Sequence, residues 1–599
     1  MNQDGKSATE SQPYSVERDV ECIVRDGTIL RADIYHPTDG SRYPTLLSRT
    51  PYDKLTERLV VAARALASVG YCVVLQDIRG RMASDGEYTW MFEDANKTFD
   101  ADDGYDTVEW AARLPWSDGT VGTWGHSNEG WAAWMTVSSS PPSLQAAFIS
   151  GITENHQQMT FGIFETGRRL QWTHKMAKSD PRLGAEPTGT RITPTEAGRQ
   201  WLEVERGKYT WWLPLEDIPP NVFGHLNDPL HAFYREAANS PWDFGTVASQ
   251  VEIPIMLLTG WWDRLVGTVN TYERAVDSAP PALAGQHRLI IGPWGHDPVD
   301  LHGQIGPIDY GPSAEREMWQ LLKRWFDLHL KGIDDGIEGE DPVQLFILGE
   351  DKWRGDKSWP PPQASEQAFY LHSNGGANTI HGDGVLSDTE PGQDFGQPSN
   401  SGQGVASENA DSDEFIYDPR DPLMSLMAAS SQMTPVDQSP HDGRTDTLVY
   451  ETPPLTAELE LVGIPRLVLW ASTDGPDTDW TAKLALVDED RRAVNLTYGI
   501  LRAQFRDGFD KPELLTPGEA YEFAVPLNPV GIRILPGQRL RLYVSSSDFP
   551  NFDRNHNTGA PFWSDRELRT ARQTVYHSAA MPSRLLLPVT PPSKKSTGE

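Results

Sequence analysis

Three residues carry the chemistry this sequence could perform. Ser127 lies in Gly125-His126-Ser127-Asn128-Glu129-Gly130, after an apolar run from Val121 and before a small-residue stretch, Trp131 to Trp134, that reads as the start of a helix. A strand that turns into a helix around one Ser lifts the hydroxyl out of the chain and leaves backbone N–H groups beside it, the geometry of a nucleophile. The simplest elbow has its second Gly at position 129, where this chain has Glu129 and delays the Gly to 130. A nucleophilic Ser needs a base, and the base needs an orienting carboxylate. Asp263 closes the run PIMLLTGWWD and His296 closes HRLIIGPWGH, in the order Ser, acid, His expected of a parallel-sheet hydrolase. Each residue alone has a plainer reading, as a turn, a helix cap or a solvated loop His. Three suitable types in the right order, each at the end of its own strand, favour a catalytic triad of Ser127, Asp263 and His296.

Those strand ends imply the elements that must position them. Residues 20–160 alternate β-rich runs with helical spacing, as in ERLVVAARALASVG and DTVEWAARLP, which predicts a mostly parallel sheet covered by helices. Ligands then bind outside the carboxyl ends of the strands, where Ser127 falls. From about 160 to 245 strand signals vanish, and aromatics are spread over helical pieces broken by Pro214, Pro219 and Pro220, so an inserted helical cap is expected. Strands return with the Asp263 and His296 segments, followed by the amphipathic stretch AEREMWQLLKRWFDLHLKG. After about 345, short strand-like runs beginning with FILGED are separated by turn signals, the composition of a jelly-roll β-sandwich. The expected organisation is a disordered tail over 1–18, a catalytic α/β domain from 19–160 and 246–345, a cap over 161–245, a jelly-roll domain over 346–590 with a long loop near 373–413, and a tail over 591–599.

Composition excludes several classes. The 599 residues include 85 acidic against 52 basic side chains, a net charge of −33. That balance opposes binding to nucleic acid or anionic membranes. No signal-like N-terminus or long apolar run appears, so the chain reads as a cytoplasmic protein. Two cysteines, Cys22 and Cys72, both in strand-like stretches, read as buried free thiols. Neither metal nor organic cofactor is expected, the partner being a small-molecule ester or amide, and a homodimer is compatible with a chain of this kind.

The residues around the triad bring a resemblance with them. Ser48-Arg49-Thr50-Pro51-Tyr52-Asp53-Lys54, Gln76-Asp77-Ile78-Arg79-Gly80-Arg81, Asp103-Gly104-Tyr105-Asp106, Gly260-Trp261-Trp262-Asp263 and Gly292-Pro293-Trp294-Gly295-His296 resemble the cocaine esterase and X-Pro dipeptidyl-peptidase (CocE/NonD) family of serine hydrolases. The resemblance continues through Leu348-Gly349, Trp353-Arg354, Asp477-Thr478-Asp479 and Leu484, and so spans nearly the whole chain. It implies an α/β-hydrolase domain with an inserted helical cap and a C-terminal jelly roll, with Ser127 as nucleophile, His296 as base and Asp263 as orienter. It further implies an oxyanion hole made by the Tyr52 hydroxyl and the Asn128 N–H. Family members commonly have Tyr where this chain has Asn128, and a Pro- and Gly-rich loop where it has Asp421 to Met427.

The expected activity is ester cleavage through an acyl-enzyme, with amidase, acylase, peptidase or acyltransferase chemistry as the alternative. Trp172, Trp262, Leu426 and Met427 are candidates for the substrate pocket, Trp201, Trp211 and Trp212 for either pocket or cap packing. A substrate with a free amine would need a nearby carboxylate, for which Glu129, Glu165 and Asp217 are available. His126 is expected to be structural. Asp474, Asp477 and Asp479 read as a turn rather than a calcium site, and Asp488 to Asp490 as a hairpin tip.

Overall fold

The computed structural model describes residues 13–88, 99–153, 161–179, 192–236, 245–296, 301–379, 382–392, 411–427 and 434–591. The catalytic region is built on ten strands: β1 (Tyr14–Ile23), β2 (Ile29–Pro37), β3 (Tyr43–Thr50), β4 (Cys72–Asp77), β5 (Ser117–His126), β6 (Leu144–Ser150), β7 (Ile255–Gly260), β8 (Arg288–Gly292), β9 (Val343–Ile347) and β10 (Lys352–Asp356). Their order is β1-β2-β4-β3-β5-β6-β7-β8-β9-β10. From β4 to β9 every neighbour is parallel, and antiparallel pairs close both edges. Strands β4 and β7 are buried along their whole length, which is why they read as unbroken apolar runs.

Helices α1 (Glu57–Ser68), α2 (Asp100–Ala111) and α3 (Asn128–Ser138) follow β3, β4 and β5. The stretch read as a strong amphipathic helix forms one from Met318 to Lys331, burying Leu322, Trp325 and Phe326. It stops at Gly332, whose φ of 65° supplies the left-handed C-terminal turn that Gly adopts without strain. Cys22 and Cys72 are both buried and unpaired with each other.

Between β6 and β7, where the sequence places the cap, the described elements are helical. Thr166–Ser179 is its longest helix, and Pro194–Gln200 runs through a π-turn at Trp201–Glu205 into Arg206–Tyr209. The third region is a β-sandwich with fourteen strands among the described residues, from Ser365–His372 to Arg584–Thr590. Among these the ladders are antiparallel except a short contact between Val385–Ser387 and Leu448–Glu451.

Three expected boundaries move. FILGED is not the first strand of the sandwich: Val343–Ile347 pairs in parallel with β8, so the catalytic sheet extends to Asp356. A buried strand at the end of an α/β sheet and one in a sandwich carry the same apolar pattern, and only pairing distinguishes them. Residues 14–18 belong to β1 rather than to a tail, and 1–12 lie outside the described residues. The segment expected as a long loop near 373–413 contains the strand Val385–Ser387, while 393–410 lie outside the described residues, as do 592–599 of the C-terminal tail.

A single apolar cluster joins sheet, cap and sandwich. Trp261, in the loop that carries Asp263, donates its indole N–H to Phe346 O at 2.7 Å. A Cβ on Gly531 of the sandwich would lie 2.4 Å from that ring, so the close approach of the two domains requires Gly there. Among the described residues no helix is long and apolar enough to cross a membrane.

Candidate active site

Strand β5 ends at His126 and α3 begins at Asn128, leaving Ser127 alone on the turn with φ 56° and ψ −122°. A non-Gly residue held there is strained, and the surroundings hold it: Ser127 N–H donates to Ser150 O at 2.9 Å and Ser127 O accepts from Trp131 N–H at 2.8 Å. The position of the glycines follows from contacts. A Cβ on Gly125 would lie 2.2 Å from the backbone oxygen of Glu129, and one on Gly130 would lie 2.9 Å from Ser150 O. The Glu129 carboxylate is fully buried, bonded to Arg58 and accepting the Thr50 hydroxyl at 2.8 Å.

The ends of β5, β7 and β8 bring the three expected residues together. His296 Nε2 lies 2.9 Å from Ser127 Oγ, and His296 Nδ1 lies 2.8 Å from Asp263 Oδ1. Asp263 can only accept, so it selects the tautomer with hydrogen on Nδ1 and leaves Nε2 to take the Ser127 proton. Asp263 is buried, and the same oxygen accepts Leu265 N–H at 2.8 Å. The two loops lock against each other, for the backbone N–H of Trp262 donates to Trp294 O at 3.0 Å and that of Trp261 to Gly292 O at 2.9 Å. His126 Nδ1 lies 2.9 Å from Ser150 Oγ, and its ring centroid lies 4.7 Å from that of His296. Burial pulls its pKa well below the ordinary value, with the neighbouring His296 adding to the shift, so it stays neutral.

Tyr52 and Asn128 line the same pocket as Ser127. Asn128 heads α3, where backbone N–H groups have no intrahelical acceptor. The Tyr52 hydroxyl accepts the Trp172 indole N–H at 3.4 Å, which leaves its own hydrogen to donate elsewhere. Burial, with the Glu129 charge, raises the Tyr52 pKa, so the phenol remains a donor at working pH. Its backbone N–H donates to Thr50 Oγ1 at 3.1 Å, and Thr50 in turn donates to Glu129. Arg58, Thr50 and Glu129 therefore position Tyr52, a role sequence reasoning missed because the signal, a carboxylate two residues after the nucleophile, reads first as a defect in the motif.

The flanking motifs form one buried ionic frame. Lys54 Nζ meets Asp77 Oδ2 at 2.8 Å, Arg81 donates to Pro51 O at 2.6 Å, and Arg79 grips Asp103 with both arms of its guanidinium at 2.9 and 2.6 Å. This frame fixes the loop that bears Tyr52. In the sandwich, Asp479 pairs with Arg502 at 2.9 and 3.0 Å, and Asn555 bridges Asp477 and Asp479 at 2.9 and 2.8 Å. Asp474 and Asp477 lie in the turn between the strands Arg466–Thr473 and Asp479–Val487, as expected, and Asp477 and Asp479 join a buried network there. Asp488, at the expected hairpin tip, is held by Arg492.

A pocket opens over Ser127, lined by Tyr52, Asn128, Trp131, Ile152, Trp172 and Leu265, with Thr153, Arg168 and Arg169. Trp172, a candidate from the sequence, is one of these lining residues. Trp262, Leu426 and Met427 are not among the lining residues. Trp262 is buried in the main core, and Met427 packs with Phe161, Ile163, Tyr498, Ile500 and Phe552, because apolar residues beside a site are as well placed to support it as to face it. Leu426 is half-buried beside Met427. Trp201 packs inside the cap on His174, Tyr209 and Phe223, Trp211 joins the cap to Phe549 and Arg554 of the sandwich, and half-buried Trp212 leans on Tyr209. The three carboxylates considered for an amine are all engaged by arginines: Glu129 by Arg58, Glu165 by Arg168 and Arg169, and Asp217 by Arg566.

Comparison with known proteins agrees with this architecture. Residues 26–298 match the model of the X-Pro dipeptidyl-peptidase (S15 family), and residues 335–586 match that of the X-Pro dipeptidyl-peptidase C-terminal non-catalytic domain. The cocaine esterase of Rhodococcus sp. (strain MB1 Bresler) is 32% identical over 96% of this chain and 99% of its own. Among solved structures, an aminopeptidase from a marine sediment Thaumarchaeota archaeon superposes with a TM-score of 0.76 at 21% identity, covering 99% of this chain and 98% of that one. An α-amino acid ester hydrolase superposes with a TM-score of 0.73 at 24% identity, covering 98% and 99%. A CocE/NonD family hydrolase from Staphylococcus aureus does so at 0.65 and 17%, covering 96% and 94%. These likenesses establish the shared fold, and the sequence matches establish descent: the chain belongs to the cocaine esterase and X-Pro dipeptidyl-peptidase (CocE/NonD) family of α/β-hydrolase serine hydrolases.

Proposed function

We propose that this serine hydrolase cleaves a carboxylic ester of a small acyl or aryl substrate through an acyl-enzyme intermediate. The observation that carries the reading is the unbroken relay from Ser127 Oγ through His296 to Asp263, with contacts of 2.9 and 2.8 Å. Ser127 attacks the ester carbonyl as His296 Nε2 takes its proton, and the Tyr52 hydroxyl and Asn128 N–H hold the developing oxyanion. Asp263 stabilises the imidazolium. His296 then protonates the departing alcohol, and water, activated by the same His, returns the acyl group as an acid. No step calls for a cofactor.

An amine-recognising acylase or peptidase is the weaker reading, since Glu129, Glu165 and Asp217 each carry an arginine partner. The test is Ser127→Ala assayed on 4-nitrophenyl acetate, alongside stoichiometric labelling of the parent by a fluorophosphonate. Loss of turnover and of labelling in a folded variant is expected, and turnover equal to the parent's would exclude Ser127 as nucleophile.

A further inference from the structure

The segment Asp263-Arg264-Leu265 faces two domains. Asp263 bonds to His296 and Leu265 lines the pocket, while Arg264 between them donates to the side-chain oxygen of Asn551 in the sandwich. Arg264 also acts on the Glu165 carboxylate. From Asn551 the contacts run inward: its Nδ2 donates to Asp548 Oδ2 at 2.7 Å, and Lys483 Nζ donates to Asp548 Oδ1 at 2.6 Å. All four side chains are buried. Lys483 lies in the strand Asp479–Val487, which is paired on both sides, by Ala493–Arg502 and by Arg539–Ser545. A line of hydrogen bonds thus starts from a strand held at both edges and ends at the chain neighbour of Asp263.

The polarity of that line dictates its middle member. Burial would raise the Asp548 pKa, but the Lys483 charge and the hydrogen bonds overcome it and hold the carboxyl below its ordinary value, so Asp548 only accepts. A guanidinium only donates. The side chain between them must accept at one end and donate at the other, which an amide does and a carboxylate does not. The same sandwich loop also meets the cap: Gly167 N–H donates to Pro550 O at 2.8 Å, Asp553 N–H to Phe164 O at 2.6 Å and Thr166 Oγ1 to Asp553 Oδ1 at 3.2 Å. It therefore touches both the segment that carries Asp263 and the helix that carries Trp172.

We propose that Asn551, in a domain that holds none of the triad, is a positioning residue for the reaction, fixing the Asp263 segment through Arg264 so that the carboxylate stays aligned on His296. This role rests on the serine-hydrolase reading, in which Asp263 orients His296. The imidazolium formed during attack needs its carboxylate in place, and a small displacement set up away from the reacting atoms is enough to slow that step. Binding of the substrate does not use that alignment, so the effect falls on kcat and leaves KM.

The test uses full-length variants on 4-nitrophenyl acetate, well below their unfolding temperatures and with circular dichroism to verify folding. Asn551→Asp sets two carboxylate oxygens against each other where a 2.7 Å hydrogen bond stood, and is expected to lower kcat about tenfold or more with KM within about twofold of the parent's. Adding Asp548→Asn reverses the polarity of the line: Lys483 donates to the amide oxygen at position 548, that amide donates to the carboxylate at position 551, and Arg264 keeps its acceptor. The double variant Asn551→Asp/Asp548→Asn is expected to return kcat to within about threefold of the parent's. Asn551→Ala, in which water can reach the freed polar atoms, is read in place of Asn551→Asp should the latter not fold, with kcat expected about threefold or more down. Fluorophosphonate labelling of the parent reports on the hydrolase reading separately, and a parent that does not label overturns both. A labelled parent whose folded Asn551 variants lose unfolding temperature but keep parental kcat overturns the positioning role alone. A double variant no more active than the single one does the same.

Discussion

Replacing Tyr52 by Phe is the sharpest probe of the oxyanion hole, because it removes one hydroxyl and leaves the ring to fill the same space. Tyr52 and the Asn128 N–H are the two donors assigned to the hole, so the variant keeps one. Loss of one such donor costs about 3 to 4 kcal/mol of transition-state stabilisation, a fall of about 10² to 10³ in kcat. KM should change little, since the ground-state carbonyl gains less from the donor than the oxyanion does. Trp172 refines the expectation. Its indole N–H meets the Tyr52 oxygen at 3.4 Å, a long bond whose net worth is about 0.5 to 1 kcal/mol, so Trp172→Phe should lower kcat about two- to fivefold. If Trp172 acts on catalysis through Tyr52, adding Trp172→Phe to Tyr52→Phe should lower kcat no further. Steady-state kinetics on 4-nitrophenyl acetate, with far-UV circular dichroism to verify folding, measure all four enzymes. A Tyr52→Phe enzyme with kcat within threefold of the parent would refute the assignment of the hydroxyl.

Gly260→Ala should abolish activity or folding, because its Cβ would lie 2.0 Å from Trp294 O in the rigid junction of the Asp263 and His296 loops; a soluble variant with parental kcat would contradict that packing. Glu129→Gln keeps an acceptor for Thr50 but removes the charge from Arg58, so a lower unfolding temperature is expected together with a kcat reduced less than in Tyr52→Phe, and an unchanged pair of values would discount the positioning role. Acid should destabilise the protein. Burial holds His174, His287, His329, His441 and His556 down to about 4, and His126 well below its usual value, while it pushes Asp553 and Glu273 up to about 7 and Asp477 up to about 6. Between pH 6.5 and 5 the unfolded chain takes up protons at these six histidines that the folded protein refuses, and the folded protein keeps protons on three acids that the unfolded chain releases. The histidines outnumber the acids, so stability should fall by about 2 to 4 kcal/mol per unit of acidification across that range. Thermal unfolding followed across that range measures it, and a midpoint as high at pH 5 as at pH 6.5 would overturn the balance.

The sequence by itself determined most of the elements of the catalytic sheet and picked out three residues that meet at one edge of it. Apolar runs that end in turn residues marked β5, β7 and β8, and the Ser, Asp and His at their ends are the residues that meet in space, because a parallel sheet brings its carboxyl ends to one edge. The same reasoning found Trp172 by its place in an aromatic-rich insertion. Tertiary structure alone decided what burial and pairing decide. Whether Val343–Ile347 closed the catalytic sheet or opened the sandwich depended on the strand it met, β8, and both outcomes use the same apolar pattern. Trp262 and Met427 could face the substrate or support the walls, and packing put them in the core. Glu129 looked like a misplaced residue in a motif until its contacts with Arg58 and Thr50 gave it a task. Arg168 and Arg169 were invisible for the same reason: charged residues on a helix are ordinarily solvated, and only the fold of the cap over Ser127 turned two of them into the wall of a pocket.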